Sequence, residues 1–377
     1  MFSAARALLL HPPPDRPAAG IALCVFGLFL FAVQDIAIKW LSGDYSVLQI
    51  VFIRGVVAVP LVLITVRVIG GRLRLRGGRP GLLITRGSLG FLSYLSYYMA
   101  IAALPLVEVV TIVFVAPVLV TVMSAVVLKE RVGARRWAAL AVGFGALVIV
   151  VGPSGDFRHF ATILALLAAF TYACQNLLTR VIGDSEEPWT VILYAMFAFI
   201  GGSVAASILV ALFAPVFLAS GAGAAIADNA SLQFLLRAWV LPPPADGALM
   251  LFLGLNTALA FYCMARAYRE TPVSVVAPFE YTYIIWAVVF GYLIWGEVPK
   301  ASSVIGVALL IASGFYIFRR ELKLSDAAGG MGKRRRRRFR IGGFPTVDSG
   351  GVRRSLRLRR INRIRRARAR EGRAATV

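Results

Sequence analysis

The chain has few of the residues on which soluble catalysts and secreted scaffolds rely. Its three cysteines, Cys24, Cys174 and Cys263, all fall inside apolar runs. They make neither a disulfide framework nor a CxxC metal spacing. Its two histidines, His11 and His159, lie outside or at the edge of the apolar segments, which disfavours a histidine-based metal or catalytic site. Acidic residues are scarce, 18 against 41 Lys and Arg. Lysine is scarcer still: only Lys39, Lys129, Lys300, Lys323 and Lys333 occur, so the basic charge is mostly arginine. HExxH, GxSxG and clustered aspartate pairs are missing, which argues against an enzyme working inside the membrane. Gly143-Phe144-Gly145 lacks the third glycine and the strand context of a dinucleotide loop. The N-terminus reads as no cleavable signal, because the apolar patch from Ala7 to Leu10 is short and runs into Pro12-Pro13-Pro14.

What remains is apolar. The 377 residues are 59% hydrophobic, with a mean hydropathy of +0.78, and the apolar runs reach about 20 residues. This is the composition of an integral membrane protein and excludes an ordinary soluble enzyme. The formal charge of +23 is unevenly placed. From Arg319 to Val377 there are 21 basic and 4 acidic residues, a net +17. The first 318 residues hold 20 basic and 14 acidic residues, a net +6. The high isoelectric point therefore belongs to a tail and says nothing of nucleic acid in the body.

Ten apolar segments follow one another, near 21–41, 46–67, 84–104, 106–128, 136–152, 160–181, 188–218, 247–265, 273–295 and 301–318. Each is about long enough to cross a bilayer, and a lone apolar run satisfies its backbone in lipid only as a helix. Arginines and lysines crowd the loops after the second, fourth and eighth segments and after the tenth. The positive-inside rule then places both termini in the cytoplasm. After the sixth segment Arg180 is outnumbered by Asp184, Glu186 and Glu187, but acidic residues count little in this rule. In the long loop after the seventh, Leu232, Leu235, Leu236 and Trp239 are spaced for a short interfacial helix or an ordinary surface loop.

The two halves resemble each other. An offset of 167 places Pro105 over Pro272 and Glu130 over Glu297. An offset of 141 places Gln34-Asp35 over Gln175-Asn176 and Lys39 over Arg180. Each half has five segments, and an odd number turns the second half over in the membrane. The expected fold is all-α, an integral membrane protein of ten transmembrane helices arranged as an inverted five-plus-five repeat, an arrangement common in secondary transporters. The organisation is a cytoplasmic segment (1–20), a first repeat (21–152), a second repeat (160–318, with an outer loop 219–246) and a basic cytoplasmic tail (319–377).

Several stretches add a resemblance: FIRG at Phe52–Gly55, the ALPLVEV turn, the LKER end of the fourth segment and the WGEVP end of the ninth. Over residues 20–318 the chain resembles the EamA family of the drug/metabolite transporter superfamily. The stretch from Arg86 to Tyr98 and Gly152-Pro153 is similar to the branch holding S-adenosylmethionine and riboflavin carriers. The resemblance implies a permease that moves a small organic solute across the bacterial inner membrane, with no cofactor. The basic tail departs from the family pattern.

Ionisable side chains inside apolar segments cost about 2.5–3.5 kcal/mol on insertion scales and are candidates for function. Asp35 lies deep in the first segment beside Gln34, and its counterpart in the second half is Asn176. It suits a substrate amine or a coupling proton, or else an ion pair with Lys39 or Arg54. Arg54 suits a carboxylate or phosphate, or else Asp35 or the membrane face. Glu280 lies inside the ninth segment where the repeat has Val113, and suits substrate or proton binding or a packed carboxylate. Glu108 sits at a helix start, where the macrodipole favours it. Glu130 and Glu297 end helices at equivalent places and are read as structural, pairing with Arg131, Arg135 or Lys300. Pro117 and Pro278 interrupt their helices. Tyr94 and Tyr98 share one face of the third segment and, with Tyr172, Tyr262 and Tyr283, offer rings to a flat or cationic solute, or simply pack. Gln175 joins the polar candidates. The tail has a six-residue basic run, Lys333–Arg338, then Leu358, Ile361 and Ile364 in a stripe among arginines. It reads as an amphipathic helix on anionic lipid, with a solvated tail or nucleic acid as lesser readings. The expected partners are a small-molecule solute and the bilayer, and a homodimer is left open. The contrasting reading is a membrane-anchored scaffold or enzyme acting through the tail.

Overall fold

The computed structural model describes residues 17–69, 78–127, 134–151, 160–182, 186–217, 228–271, 276–309 and 311–312. All belong to the first of two units, Met1–Ser325. The second unit, Asp326–Val377, and with it every expectation for the basic tail, lies outside the described residues. So do Glu130, Arg131 and Pro272.

The described residues form helices and no strand. In chain order these are α1 (Pro17–Leu41), α2 (Val47–Ile69), α3 (Pro80–Ala103), α4 (Leu106–Val113), α5 (Ala116–Val127), α6 (Ala134–Val151), α7 (Phe160–Ile182), α8 (Pro188–Phe217), α9 (Ala230–Leu236), α10 (Pro244–Glu270), a 3-10 turn (Ala277–Tyr281), α11 (Thr282–Trp295) and α12 (301–309). Six helical stretches among them are long and apolar enough to cross a membrane. α3 has the length but not the hydropathy: it carries Arg86, Ser93, Ser96, Tyr94, Tyr97 and Tyr98. This helix supplies Tyr94, Tyr97 and Tyr98 to the site described below.

The fourth apolar run is two helices rather than one. α4 ends at Val113, the position i−4 from Pro117. A proline offers no N–H to that carbonyl and its ring crowds it, so the helix breaks and restarts at Ala116. The ninth run is broken too, by a 3-10 turn that gives way to α11 at Thr282. The two breaks meet: the Phe114 ring packs on Tyr281 at 5.5 Å and on Tyr283 at 6.2 Å.

Packing pairs α1 with α10 and α7 with α3; α3 also lies against α8, α10 against α2, α5 against α7, and α11 against α1. Two glycines sit at close helix crossings. A Cβ on Gly87 would stand 2.8 Å from the Ala198 methyl and 3.1 Å from the Tyr194 carbonyl on α8. A Cβ on Gly254 would stand 2.4 Å from Val57 Cβ and 3.2 Å from the Arg54 carbonyl on α2. Small residues at such crossings let backbones meet where no hydrophobic drive exists in lipid. Gly254→Ala is therefore expected to destabilise the chain by about 1–3 kcal/mol, the usual cost of overpacking. The unfolding midpoint in detergent measures it, and an unchanged midpoint would show that α2 and α10 separate freely.

One end of the bundle is closed by connections between helices. α9 is capped by Asn229, whose side chain accepts from the Leu232 N–H at 3.2 Å. Phe234 and Ser231 are fully buried, and the Ser231 hydroxyl donates to the Met99 carbonyl at 2.6 Å. Trp239 lies past the end of α9 and packs on Phe52 at 5.2 Å. Gln49 holds the following strap through both its amide atoms, with Val240 as partner at 2.6 and 3.1 Å. Tyr45 donates to Asp246 at 2.6 Å, and that hydrogen bond raises its phenol to about 12. Beside them Gly296, at φ 65, ends α11 in the left-handed region. The Glu297 N–H reaches back to the Gly291 carbonyl at 3.0 Å, completing the cap. This turn aims Glu297 at Lys39.

Candidate functional site

The site grows from adjacent polar residues on α1. Gln34 and Asp35 are 1% and 3% exposed, so each must find partners inside the bundle. The Gln34 amide donates to the Tyr98 hydroxyl at 2.8 Å, and its carbonyl accepts from the Thr257 hydroxyl at 2.6 Å. Asp35 accepts from the Tyr97 hydroxyl at 2.6 Å and from the Tyr283 hydroxyl, both at Oδ2. The two tyrosine oxygens are 3.1 Å apart. One carboxylate thus ties α1 to α3 and to α11.

Arg54, 1% exposed, enters from α2. One terminal nitrogen donates to the Tyr98 hydroxyl at 2.7 Å, so that oxygen accepts from both Gln34 and Arg54. The guanidinium carbon lies 5.4 Å from the Tyr94 ring centre, 5.5 Å from that of Tyr98 and 5.4 Å from that of Phe199. Its other terminal nitrogen is buried and has no hydrogen-bond partner.

The nearest-in-sequence partner of Asp35 is not its partner in space. Lys39 bonds Glu297 and donates to the Leu104 carbonyl at 3.1 Å, and no ion pair joins Asp35 to Lys39 or to Arg54. Glu297 also accepts from the Leu106 N–H at 2.9 Å. Its expected pairing with Lys300 or a loop arginine gives way to Lys39, because the Gly296 turn carries it inward. Lys300 pairs instead with Glu108 at 3.0 Å.

Glu280 accepts from the Tyr268 hydroxyl and stands apart from the Asp35 cluster. Across from α3, α7 presents Tyr172, Gln175 and Asn176. Tyr172 is 39% exposed, while the Gln175 carbonyl oxygen is buried without a partner. Gly90 packs against it: a Cβ there would stand 3.0 Å from that oxygen. Tyr262 packs beside Leu30, Ala260 and Cys263 and makes no part of the network.

Of the sequence candidates, Gln34, Asp35, Arg54, Tyr94, Tyr98 and Tyr283 come together. Gln175 and Asn176 lie on the facing helix, and Glu280 and Tyr262 stand elsewhere. Three contributors were not singled out: Tyr97, Thr257 and Tyr268. Thr257 did leave a signal, since Asn256-Thr257 is a polar pair inside an apolar run, and Asn256 donates to the Leu30 carbonyl at 2.8 Å. No cluster of three or more His, Cys, Asp or Glu able to hold a metal occurs among the described residues. The arrangement offers an anionic and a cationic group separated by phenols, a setting for a charged or polar solute.

The sequence matches the EamA-like transporter family over residues 18–152 and 159–319. The chain belongs to that family. It is a multi-pass membrane protein. It is similar to a riboflavin transporter of Rhizobium johnstonii, 28% identical over 57% of this chain, and spans 62% of that protein's length. It is also similar to an S-adenosylmethionine uptake transporter of Rickettsia prowazekii (21% identical, 81% of this chain and 94% of that protein). A pseudopaline exporter of Pseudomonas aeruginosa is 27% identical over 79% of this chain and 95% of its own length. A solved crystal structure shares the fold, with TM-score 0.53 and 15% identity, over 78% of this EamA chain and 95% of that one.

Proposed function

We propose that this EamA-family chain is a secondary transporter that carries a small organic metabolite across the bacterial inner membrane by alternating access. It has ten spans in an inverted five-plus-five repeat, both termini in the cytoplasm, and the solute bound between the halves. Gln34, Asp35, Arg54, Tyr94, Tyr98 and Tyr283 form its inner wall, and Tyr172, Gln175 and Asn176 the facing one. A proton taken up at Asp35 or Glu280 drives the cycle.

The observation that carries this reading is the recurrence of geometry at the repeat offsets. Gly87 and Gly254 differ by 167, and the residues they approach, Ala198 and Val57, differ by 141. The breaks between Val113 and Ala116 and at Tyr281 fall at matching places by the offset of 167, which pairs Phe114 with Tyr281, and Phe114 packs on Tyr281 itself. The helix pairings obey the same exchange: α1 with α10 mirrors α7 with α3, and α3 with α8 mirrors α10 with α2. Broken helices at equivalent places in two halves are where transporters of this build hold their solutes. Closure of the bundle end around Lys39 and Glu297 supports a state open toward the cytoplasm.

Solute flux tests the proposal. The purified chain in proteoliposomes, loaded with a polar-metabolite extract supplemented with riboflavin and S-adenosylmethionine, is expected to exchange at least one metabolite faster than empty liposomes. Glu280→Gln with Asp35→Asn is expected to uncouple that flux from a proton gradient. Release indistinguishable from empty liposomes for every metabolite would sink the transport reading; wild-type coupling in the double variant would remove both carboxylates from the proton path.

A further inference from the structure

We infer that Arg54 is the receptor for a carboxylate on the transported solute. This rests on the transport reading and specifies the chemistry of what is carried.

A guanidinium has five N–H donors and cannot lose its charge in a protein. Here the protein answers it with one hydroxyl, that of Tyr98, and three aromatic rings. Ring faces stabilise a cation but take no strong hydrogen bond. The second terminal nitrogen is buried and unpartnered. A buried charged donor left unmade costs more than a neutral one, so a fold that keeps this group keeps it for a partner that comes and goes.

The carboxylates that could have served as that partner are engaged elsewhere. Asp35 holds Tyr97 and Tyr283, Glu280 holds Tyr268, Glu297 holds Lys39, and Glu108 holds Lys300. Nor does the architecture need a cation there. The repeat-equivalent position on α8 is Ala195, which packs the same crossing without one. One guanidinium carries one positive charge, and with one open terminal nitrogen it fits a singly charged carboxylate.

The second unpartnered atom completes the description. Gln175 is the repeat equivalent of Gln34, and Gly90 of Thr257. Where Thr257 satisfies the Gln34 carbonyl, Gly90 leaves the Gln175 carbonyl bare. Gly90 lies one helical turn from Tyr94, whose ring packs on Arg54. The solute therefore carries a hydrogen-bond donor for the Gln175 carbonyl as well as a carboxylate.

The test uses the same proteoliposomes and compares each transported acid with its methyl ester. Wild type is expected to move the acid about 100-fold faster than the ester, and Arg54→Gln to bring the two within about threefold, as when a buried charge pair loses one member. The ratio does not depend on how much variant protein folds. Arg54→Lys is expected to keep a preference for the acid at reduced flux. A wild type that moves acid and ester alike, or only solutes without a carboxylate, phosphate esters among them, overturns the assignment while leaving transport intact. So does an Arg54→Gln variant that keeps the preference. Absence of any flux instead overturns the transport reading beneath it.

Discussion

Replacing Lys39 with methionine is expected to destabilise the chain by about 3–5 kcal/mol, the cost of leaving a buried carboxylate without its partner. The Lys39 and Glu297 side chains are only 11% and 17% exposed. Solvent therefore screens them little, and Glu297 would keep only the Leu106 N–H. Glu297→Gln is expected to cost a similar amount, because Lys39 would retain the Leu104 carbonyl and the Trp295 ring, 4.9 Å away, but no counter-charge. The double variant Lys39→Met, Glu297→Leu removes both charges and both desolvation costs. Its loss should be well short of the sum of the singles, with a coupling of 0.5–3 kcal/mol or so in a double-mutant cycle. Unfolding in detergent reads all four proteins. Strictly additive losses would mean that the two groups are neighbours without being partners.

Asp35→Asn should separate charge from structure. Asparagine is nearly the same size and shape as aspartate, and the offset of 141 places Asn176 at the matching position. Its amide oxygen can still accept from Tyr97 and Tyr283, which now meet at one carboxylate oxygen. Stability is expected to change by no more than about 1 kcal/mol, the net worth of an ordinary hydrogen bond. Flux per folded molecule is expected to fall at least 10-fold, roughly the 1.4 kcal/mol that a lost solute or proton contact represents. Tyr97→Phe and Tyr283→Phe each remove a donor and leave the charge, so they should reduce flux less. Full flux in Asp35→Asn would make the residue an acceptor that positions two phenols and nothing more.

Much of this was legible in the residues. Apolar runs mark where helices lie because lipid leaves the backbone no other way to satisfy itself. The offsets of 141 and 167 anticipate even the glycine crossings, since Gly87 and Gly254 obey the second and their neighbours the first. The carboxylate Asp35 and the cation Arg54 stood out by charge alone. What the residues could not reveal is who meets whom. Lys39, one turn from Asp35, is drawn away by a glutamate 258 positions later, and the intermediary is a glycine whose only contribution is a positive φ. Asn256-Thr257 stands out as a polar pair in an apolar run, but nothing in the sequence says that the Thr257 hydroxyl meets Gln34. The burial of Phe234 and Ser231, rather than the leucines of α9, depends on the end of α3 that it covers.

The Gly296 turn has a consequence for how the chain is made. A ribosome delivers Lys39 with the first helix and Glu297 only after the ninth apolar run has emerged. Until then the lysine's charge has no carboxylate to meet, and the end of the bundle that it later ties shut remains untied. Any chain truncated before Trp295 ends in that condition, with the Lys39 cation left to the Leu104 carbonyl and no counter-charge.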